Sequence, residues 1–143
     1  MESNKENTNS ILTINVANII KNYNKLKNIN SKVEVAACVK ANAYGLDCIK
    51  ICKILLANGC NSFFVATPEE ALSLRKKFKN INIFLLNGVN DQNTCLKMIK
   101  ENILIVINNL DQLNIIKKAF QLSKKKIKCA LHIDLGMNRL GFS

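Results

Sequence analysis

Five short apolar runs alternate with five segments of helical spacing, the connections between them are brief, and the residues with chemistry to offer stand just past the carboxyl ends of the runs. Together these predict an α/β chain with a parallel sheet, organised as about five consecutive βα units of a partial (β/α)8 barrel of the TIM type. A closed barrel of that kind takes about 250 residues, so a chain of 143 residues is expected to stop short of closure. The competing architecture is an open, doubly wound five-stranded sheet, which this length would complete.

Residues 1–10 are polar and are expected to be disordered, leaving 11–143 as one incomplete barrel domain. Ile11 to Ile14 reads as a short extended piece. Val16 to Lys27 follows as a helix, because Val16, Ile19, Ile20, Tyr23 and Leu26 recur on one face. Val33 to Val39 is the first strand, with Lys40 at its end and a tight loop through Gly45. Asp47 opens a helix that carries Ile49, Ile51, Cys52, Leu55 and Leu56 and closes at Asn58-Gly59. Ser62 to Ala66 is the second strand. Thr67-Pro68-Glu69-Glu70 is a helix start with an N-cap hydroxyl, a proline in the first turn and a capping-box carboxylate; that helix ends near Phe78. Strand Ile81 to Leu86, a helix over Asp91 to Lys100, strand Ile103 to Ile107, a helix over Leu110 to Ser123 and strand Lys128 to Asp134 complete the alternation.

Hydrophobic residues make up 48% of the chain, enough for a sizeable core. No run is apolar enough to span a bilayer, and the first residues lack the apolar centre of a signal peptide, so a cytoplasmic, membrane-free protein is expected. The six cysteines are scattered through apolar elements and read as reduced, mostly buried thiols. Cys48 and Cys52 share a helix face, but no further ligands stand at a matching spacing, so no metal is expected. The formal charge of +11 raises nucleic acid as a partner. A basic binder gathers arginines and aromatics into one stripe. Here the arginines are Arg75 and Arg139, the lysines are spread over helix faces, and Lys124-Lys125-Lys126 reads as a solvated helix end. Nucleic acid is therefore not the expected partner.

Two strings carry the chemistry. In Val39-Lys40-Ala41-Asn42-Ala43-Tyr44-Gly45 a lone lysine emerges from an apolar strand into small residues, an aromatic hydroxyl and a glycine. An amine partly withdrawn from water loses its proton more readily and can then attack an aldehyde. Backbone amides in such a loop are open to close approach. In His132-Ile133-Asp134-Leu135-Gly136-Met137-Asn138-Arg139-Leu140-Gly141 an arginine stands just past the fifth strand, on the same rim as Lys40. Its fork suits a carboxylate or a phenolate oxygen. His132, alternating with Leu131 and Ile133, reads as a packed histidine. Neither a dinucleotide fingerprint nor a P-loop follows the first strand, so the open-sheet alternative has no site of its own.

These strings, with Leu12-Thr13-Ile14, Phe63-Phe64-Val65-Ala66-Thr67, Glu69-Glu70-Ala71 and Asn87-Gly88, occur in one order that resembles the amino-terminal part of the alanine racemases almost end to end. The resemblance implies a pyridoxal-phosphate barrel domain whose β-rich carboxyl-terminal domain is absent here, and a homodimer whose sites borrow residues across the interface. It implies that Lys40 carries the cofactor and acts as a base, and that Tyr44 donates to the cofactor phosphate. Arg139 is implied to contact the cofactor's phenolic oxygen or the substrate carboxylate, and the main chain at Met137 to sit beside the substrate. Two positions depart from the pattern. His132 stands where some members have a carbamylated lysine that orients the arginine, and Leu135 stands where threonine is usual.

The activity so implied is interconversion of L- and D-alanine, supplying D-alanine for peptidoglycan. Inversion needs a base on each face of the α-carbon, and the family's tyrosine base has no counterpart among these residues. The chain is thus expected to be an amino-terminal fragment, inactive alone, with a complementing carboxyl-terminal chain as its partner. Two other readings stay open: a non-catalytic, single-barrel pyridoxal-phosphate carrier, and a small open-sheet interaction domain without chemistry.

Overall fold

The computed structural model describes residues 10–143. The disorder expected over 1–10 therefore falls, but for Ser10, outside the described residues. The element order is α1 (Val16–Lys27), β1 (Ala37–Cys38), α2 (Lys40–Tyr44), α3 (Cys48–Ala57), β2 (Ser62–Val65), α4 (Pro68–Lys77), β3 (Asn82–Leu85), α5 (Gln92–Lys100), β4 (Leu104–Ile107), α6 (Leu110–Ser123) and β5 (Cys129–Leu131).

The strands form one parallel five-stranded sheet in the order β1-β2-β3-β4-β5. That order decides between the two architectures. A doubly wound sheet reverses direction at a switch point, whereas a barrel adds each strand beside the last. The sheet never reverses, and the chain is a partial barrel.

Helix starts follow from side chains set just past the strand ends. Asp47 accepts from the Lys50 amide, Asp91 from Thr94 and Asn109 from Gln112, each satisfying a backbone donor that the first helical turn leaves free. Thr67 and Glu70 form the complete capping box ahead of α4, with Pro68 in its first turn. Lys124 ends α6 in a left-handed conformation, and Lys125 and Lys126 are exposed beyond it.

The core lies between the sheet and its helices. Phe63, Val65, Ile83, Leu85, Ile105 and Ile107 are buried in one cluster with Ile51, Cys52 and Leu55 of α3, Ala71 and Leu74 of α4, Cys95 and Met98 of α5, and Ile116 and Ala119 of α6. Residues of the other parity face away from it. Phe64 and Phe84 stack with ring centroids 4.5 Å apart and are only half-buried. Alternating parity thus separates a covered outer face from a partly open inner face, as in a barrel wall.

Four expectations need correction. β1 is confined to Ala37–Cys38 rather than Val33–Val39, because only these residues reach β2 in register. β5 is Cys129–Leu131 rather than Lys128 to Asp134; beyond it the chain continues through a bond from the His132 amide to the Ile107 carbonyl and a bridge between Ile133 and Phe142. The tight loop after Lys40 is a turn of left-handed helix. Finally, Cys38 and Cys129 are exposed, since each lies on an edge strand, while Cys52, Cys60 and Cys95 are buried. The Cys48 and Cys52 sulfurs lie 3.9 Å apart on α3, and the hydrogen bond from Cys52 holds the Cys48 thiol below its ordinary pKa. No helix among the described residues is long and apolar enough to cross a membrane.

The two sheet faces should respond differently to truncation. Phe63→Ala removes a side chain packed on every side and is expected to cost about 3–5 kcal/mol. Phe64→Ala, on the half-open inner face, should cost clearly less. Urea unfolding of both variants measures the difference, and equal losses would contradict the assignment of faces.

Candidate active site at the carboxyl ends of the strands

Lys40 is half-buried and follows the buried Val39 directly at the end of β1. Beyond it Ala41, Asn42, Ala43 and Tyr44 all take φ between 50° and 55°, and Gly45 closes the turn at φ 88°. Left-handed residues other than glycine cost about 1–2 kcal/mol each, so no single hydrogen bond offsets the turn. Several hold it. The Ala43 amide donates to the Val39 carbonyl at 2.9 Å and Gly45 to Ala41 at 3.1 Å. Asn42 Oδ1 accepts from the Cys48 amide at 2.8 Å, tying the turn to the start of α3. The Ala41 amide donates to Glu70 Oε1 at 2.6 Å, tying it to the loop after β2. The amides of Ala41, Ala43 and Gly45 are thus already committed, and the turn is not the open amide cradle that its glycine-ended sequence suggests.

Tyr44 is 64% exposed, with its hydroxyl 3.6 Å from Cys38 Sγ. The Cys38 thiol raises the Tyr44 pKa, through its hydrogen bond and then its charge, while the positive charge of Arg139 acts to lower it. Arg139 therefore lies within electrostatic reach of Tyr44, although the two belong to opposite edges of the sheet. The structure brings Lys40, Tyr44 and Arg139 to one rim.

The loop that carries Arg139 is built by Asp134, a residue that sequence reasoning passed over. Its Oδ1 accepts from the amides of Gly136 at 3.0 Å and Met137 at 2.9 Å, and its Oδ2 from Asn138 at 2.8 Å. An aspartate two residues before a glycine was the available signal. The loop closes where the Phe142 amide donates to the His132 carbonyl and the Asp134 amide to the Phe142 carbonyl. Gly141 is required at that crossing, because a Cβ there would come within 3.0 Å of His132 and of the Asp134 amide. Met137 is 74% exposed, and its own amide is engaged by Asp134.

His132 is indeed a partnered histidine. Its Nδ1 lies 2.7 Å from Asn108 Oδ1. The Asn108 Nδ2 donates to the Leu86 carbonyl at 2.9 Å and also faces the Val106 carbonyl and Gln112 Oε1. Oδ1 is therefore the accepting end, and His132 carries its proton on Nδ1. The buried Gln112 extends the network: its Oε1 accepts from the Asn108 amide at 2.9 Å and its Nε2 donates to the Asn87 carbonyl at 2.8 Å. Sequence reasoning also missed Asn108 and Gln112, whose partners lie in other loops.

Among the described residues, cavities open at both ends of the sheet. One of about 340 Å³ lies on this rim between the loops after β2 and β3, lined by residues that include Thr67, Glu69, Gly88 and Asp91. The larger, about 530 Å³, lies at the opposite end, beside Arg75, Glu101 and Lys128. The buried Arg75 guanidinium at that end donates to the carbonyls of Glu101, Phe78, Lys79 and Asn102, so its donors serve the fold.

A half-buried amine and a phenol past β1 and a guanidinium past β5 share the carboxyl rim of the sheet, which places the chain in a class of protein, the parallel α/β barrels. Comparison with known proteins identifies the family. The family described as "Alanine racemase, N-terminal domain" matches residues 14–143, and the chain belongs to it. It is 42% identical over 133 residues to alanine racemase of Rickettsia typhi, covering 92% of this chain and 33% of that protein. Identity to the alanine racemase of Rickettsia prowazekii is 43% over the same length, again covering 92% and 33%. The crystal structure of alanine racemase from Bartonella henselae with covalently bound pyridoxal phosphate superposes with a TM-score of 0.83 at 35% identity, covering 91% of this chain and 36% of that one. The chain spans about a third of the length of these relatives.

Gly88 tests the rim network. With φ at 69°, its missing Cβ is replaced in space by the Gln112 amide. Gly88→Ala must displace that amide from its partners and is expected to cost about 1–3 kcal/mol. In a double-mutant cycle with Gln112→Ala the combined loss should fall short of the sum. Strict additivity in denaturant unfolding would contradict the contact.

Proposed function

We propose that the chain is the barrel portion of an alanine racemase, with Lys40 as the residue that carries pyridoxal phosphate and serves as the base on one face of the substrate α-carbon. The observation that supports this reading is that Lys40, half-buried at the end of β1, and Tyr44 share the carboxyl rim of the sheet with the loop past β5 that carries Arg139. The donor set suits the cofactor: an amine for an aldehyde, a hydroxyl for a phosphate and a guanidinium for a phenolate or carboxylate. When bound, pyridoxal phosphate withdraws electrons from the α-carbon of an amino acid and so acidifies its proton.

The resident groups divide the remaining work. Lys40, fixed at the mouth of β1, takes the α-proton and returns it to the side from which it came. Tyr44 presents its hydroxyl to the phosphate. Arg139 is held by the Asp134 loop, and from there its charge orients the phenolic oxygen or the substrate carboxylate. The main chain at Met137 sits beside the substrate in this reading, with its amide engaged by Asp134. His132 keeps the end of β5 in register with β4 through Asn108.

Inversion requires a second base on the opposite face, which the group gathered at this rim does not provide. The reading therefore includes a complementing carboxyl-terminal portion and a homodimer, and a cytoplasmic role in supplying D-alanine for peptidoglycan. A non-catalytic pyridoxal-phosphate carrier has less support, because a carrier has no use for the arginine loop that Asp134 builds.

Two measurements test the proposal. Borohydride fixation of pyridoxal phosphate followed by peptide mapping should place the label on Lys40, and Lys40→Ala should abolish that site; a label spread evenly over surface lysines would overturn the assignment. Chiral analysis of alanine, with deuterium exchange at the α-carbon, should show little inversion by this chain alone, because loss of one positioned base removes about 10²–10⁴ of rate. Inversion should return when the carboxyl-terminal portion of a relative is added. Brisk inversion by the chain alone, dependent on Lys40, would show that a resident group is the second base.

A further inference from the structure

Glu70 reaches further than a helix cap needs to. In a capping box the carboxylate returns only to the N-cap amide. Here Oε2 accepts from that amide, Thr67 at 3.3 Å, and from Ala66 at 2.8 Å, while Oε1 crosses to the next loop and accepts from the Ala41 amide at 2.6 Å. Ala41 is the residue after Lys40 and the first of the left-handed turn. We propose that Glu70 is a positioning residue for Lys40: its carboxylate fixes the peptide that follows the lysine and so sets where the amine stands over the rim. The inference rests on reading Lys40 as the cofactor lysine.

The chemistry of the site specifies a carboxylate. Three N–H groups converge on it from two loops, and all three require acceptors, so both oxygens must accept. A charged acceptor also shortens and strengthens each bond. Glutamine has the same shape but one accepting end. Its NH2 would face either Ala41 or the Ala66-Thr67 pair, donor against donor. Aspartate, shorter by a methylene, cannot span both loops from the same helix position. Thr67 provides the control, because its hydroxyl accepts only from the Glu70 amide at 3.4 Å and caps α4 without touching the lysine turn.

The test uses the full chain as Glu70→Gln and Thr67→Ala, with pyridoxal phosphate as the probe. Hydrogen exchange without the probe should show the Ala41 amide protected in the unsubstituted chain. That protection should fall about ten-fold or more in Glu70→Gln and hold within about two-fold in Thr67→Ala. Borohydride fixation should show the same pattern, with the rate at Lys40 relative to other lysines falling about ten-fold in Glu70→Gln only. An unprotected Ala41 amide, unchanged Lys40 labelling in Glu70→Gln, or equal losses in both variants would overturn the proposal, the last by showing that Glu70 acts only as a helix cap. If Glu70→Gln does not fold, Ala41 protection in the unsubstituted chain still decides. Labelling without preference for Lys40 in the unsubstituted chain would sink the cofactor assignment instead, and the exchange measurement would still judge the clamp.

Discussion

Parallel neighbours cannot be joined by a tight turn; each strand must be followed by a crossover that carries the chain back to the amino end of the sheet. Repeated in one hand, such crossovers place the helices on one face and every strand's carboxyl end on one rim. The sheet order β1-β2-β3-β4-β5 is this constraint applied without interruption. From it follow the buried parity of Phe63, Ile83 and Ile105 against the helices, the half-open parity of Phe64 and Phe84, and the place of residues as distant in sequence as Lys40 and Arg139 past strand ends on one rim.

The same constraint leaves opposite backbone groups unpaired at the two ends of the sheet. Helices begin at the carboxyl rim, so the loops there expose amides, and carboxylates answer them: Glu70 across the first two loops, and Asp134 within the arginine loop. Helices end at the other rim, where carbonyls are left over. Arg75, with donors and no acceptor, answers those of Phe78, Lys79, Glu101 and Asn102. Where a loop offers both kinds of group, the residues are amides, Asn108 and Gln112, which accept at one end and donate at the other. Burial of Arg75 disfavours its charge and lowers its pKa, yet four carbonyl partners keep the guanidinium satisfied.

The lysine turn is where the fold accepts unfavourable backbone geometry. Four left-handed residues in succession would not persist in an isolated peptide. They persist here because β1, α3 and the loop after β2 each hold one part of the turn. Lys40 therefore precedes a segment whose conformation is defined by its neighbours more than by its own preference. Family membership agrees with this geometry, since the matched region runs through both the lysine turn and the arginine loop.

Much of this was determined by local sequence. Helix boundaries were legible because caps act within one turn: Thr67, Asp91 and Asn109 mark α4, α5 and α6 whatever lies elsewhere. The parallel βα alternation was legible for the same reason, and so was the place of Lys40 where the apolar run before it stops. Only the tertiary structure decided the rest. Strand order separates barrel from doubly wound sheet, and order depends on which strands pair, a property no local pattern encodes. The strand extents at Ala37–Cys38 and Cys129–Leu131 depend on neighbours present on one side only. The most distant partners of Glu70, Asn108 and Gln112 lie 24 to 29 residues away, and the left-handed turn depends in part on the Glu70 bond. Local sequence sets what a segment prefers; hydrogen bonds between distant loops decide which preference is overruled.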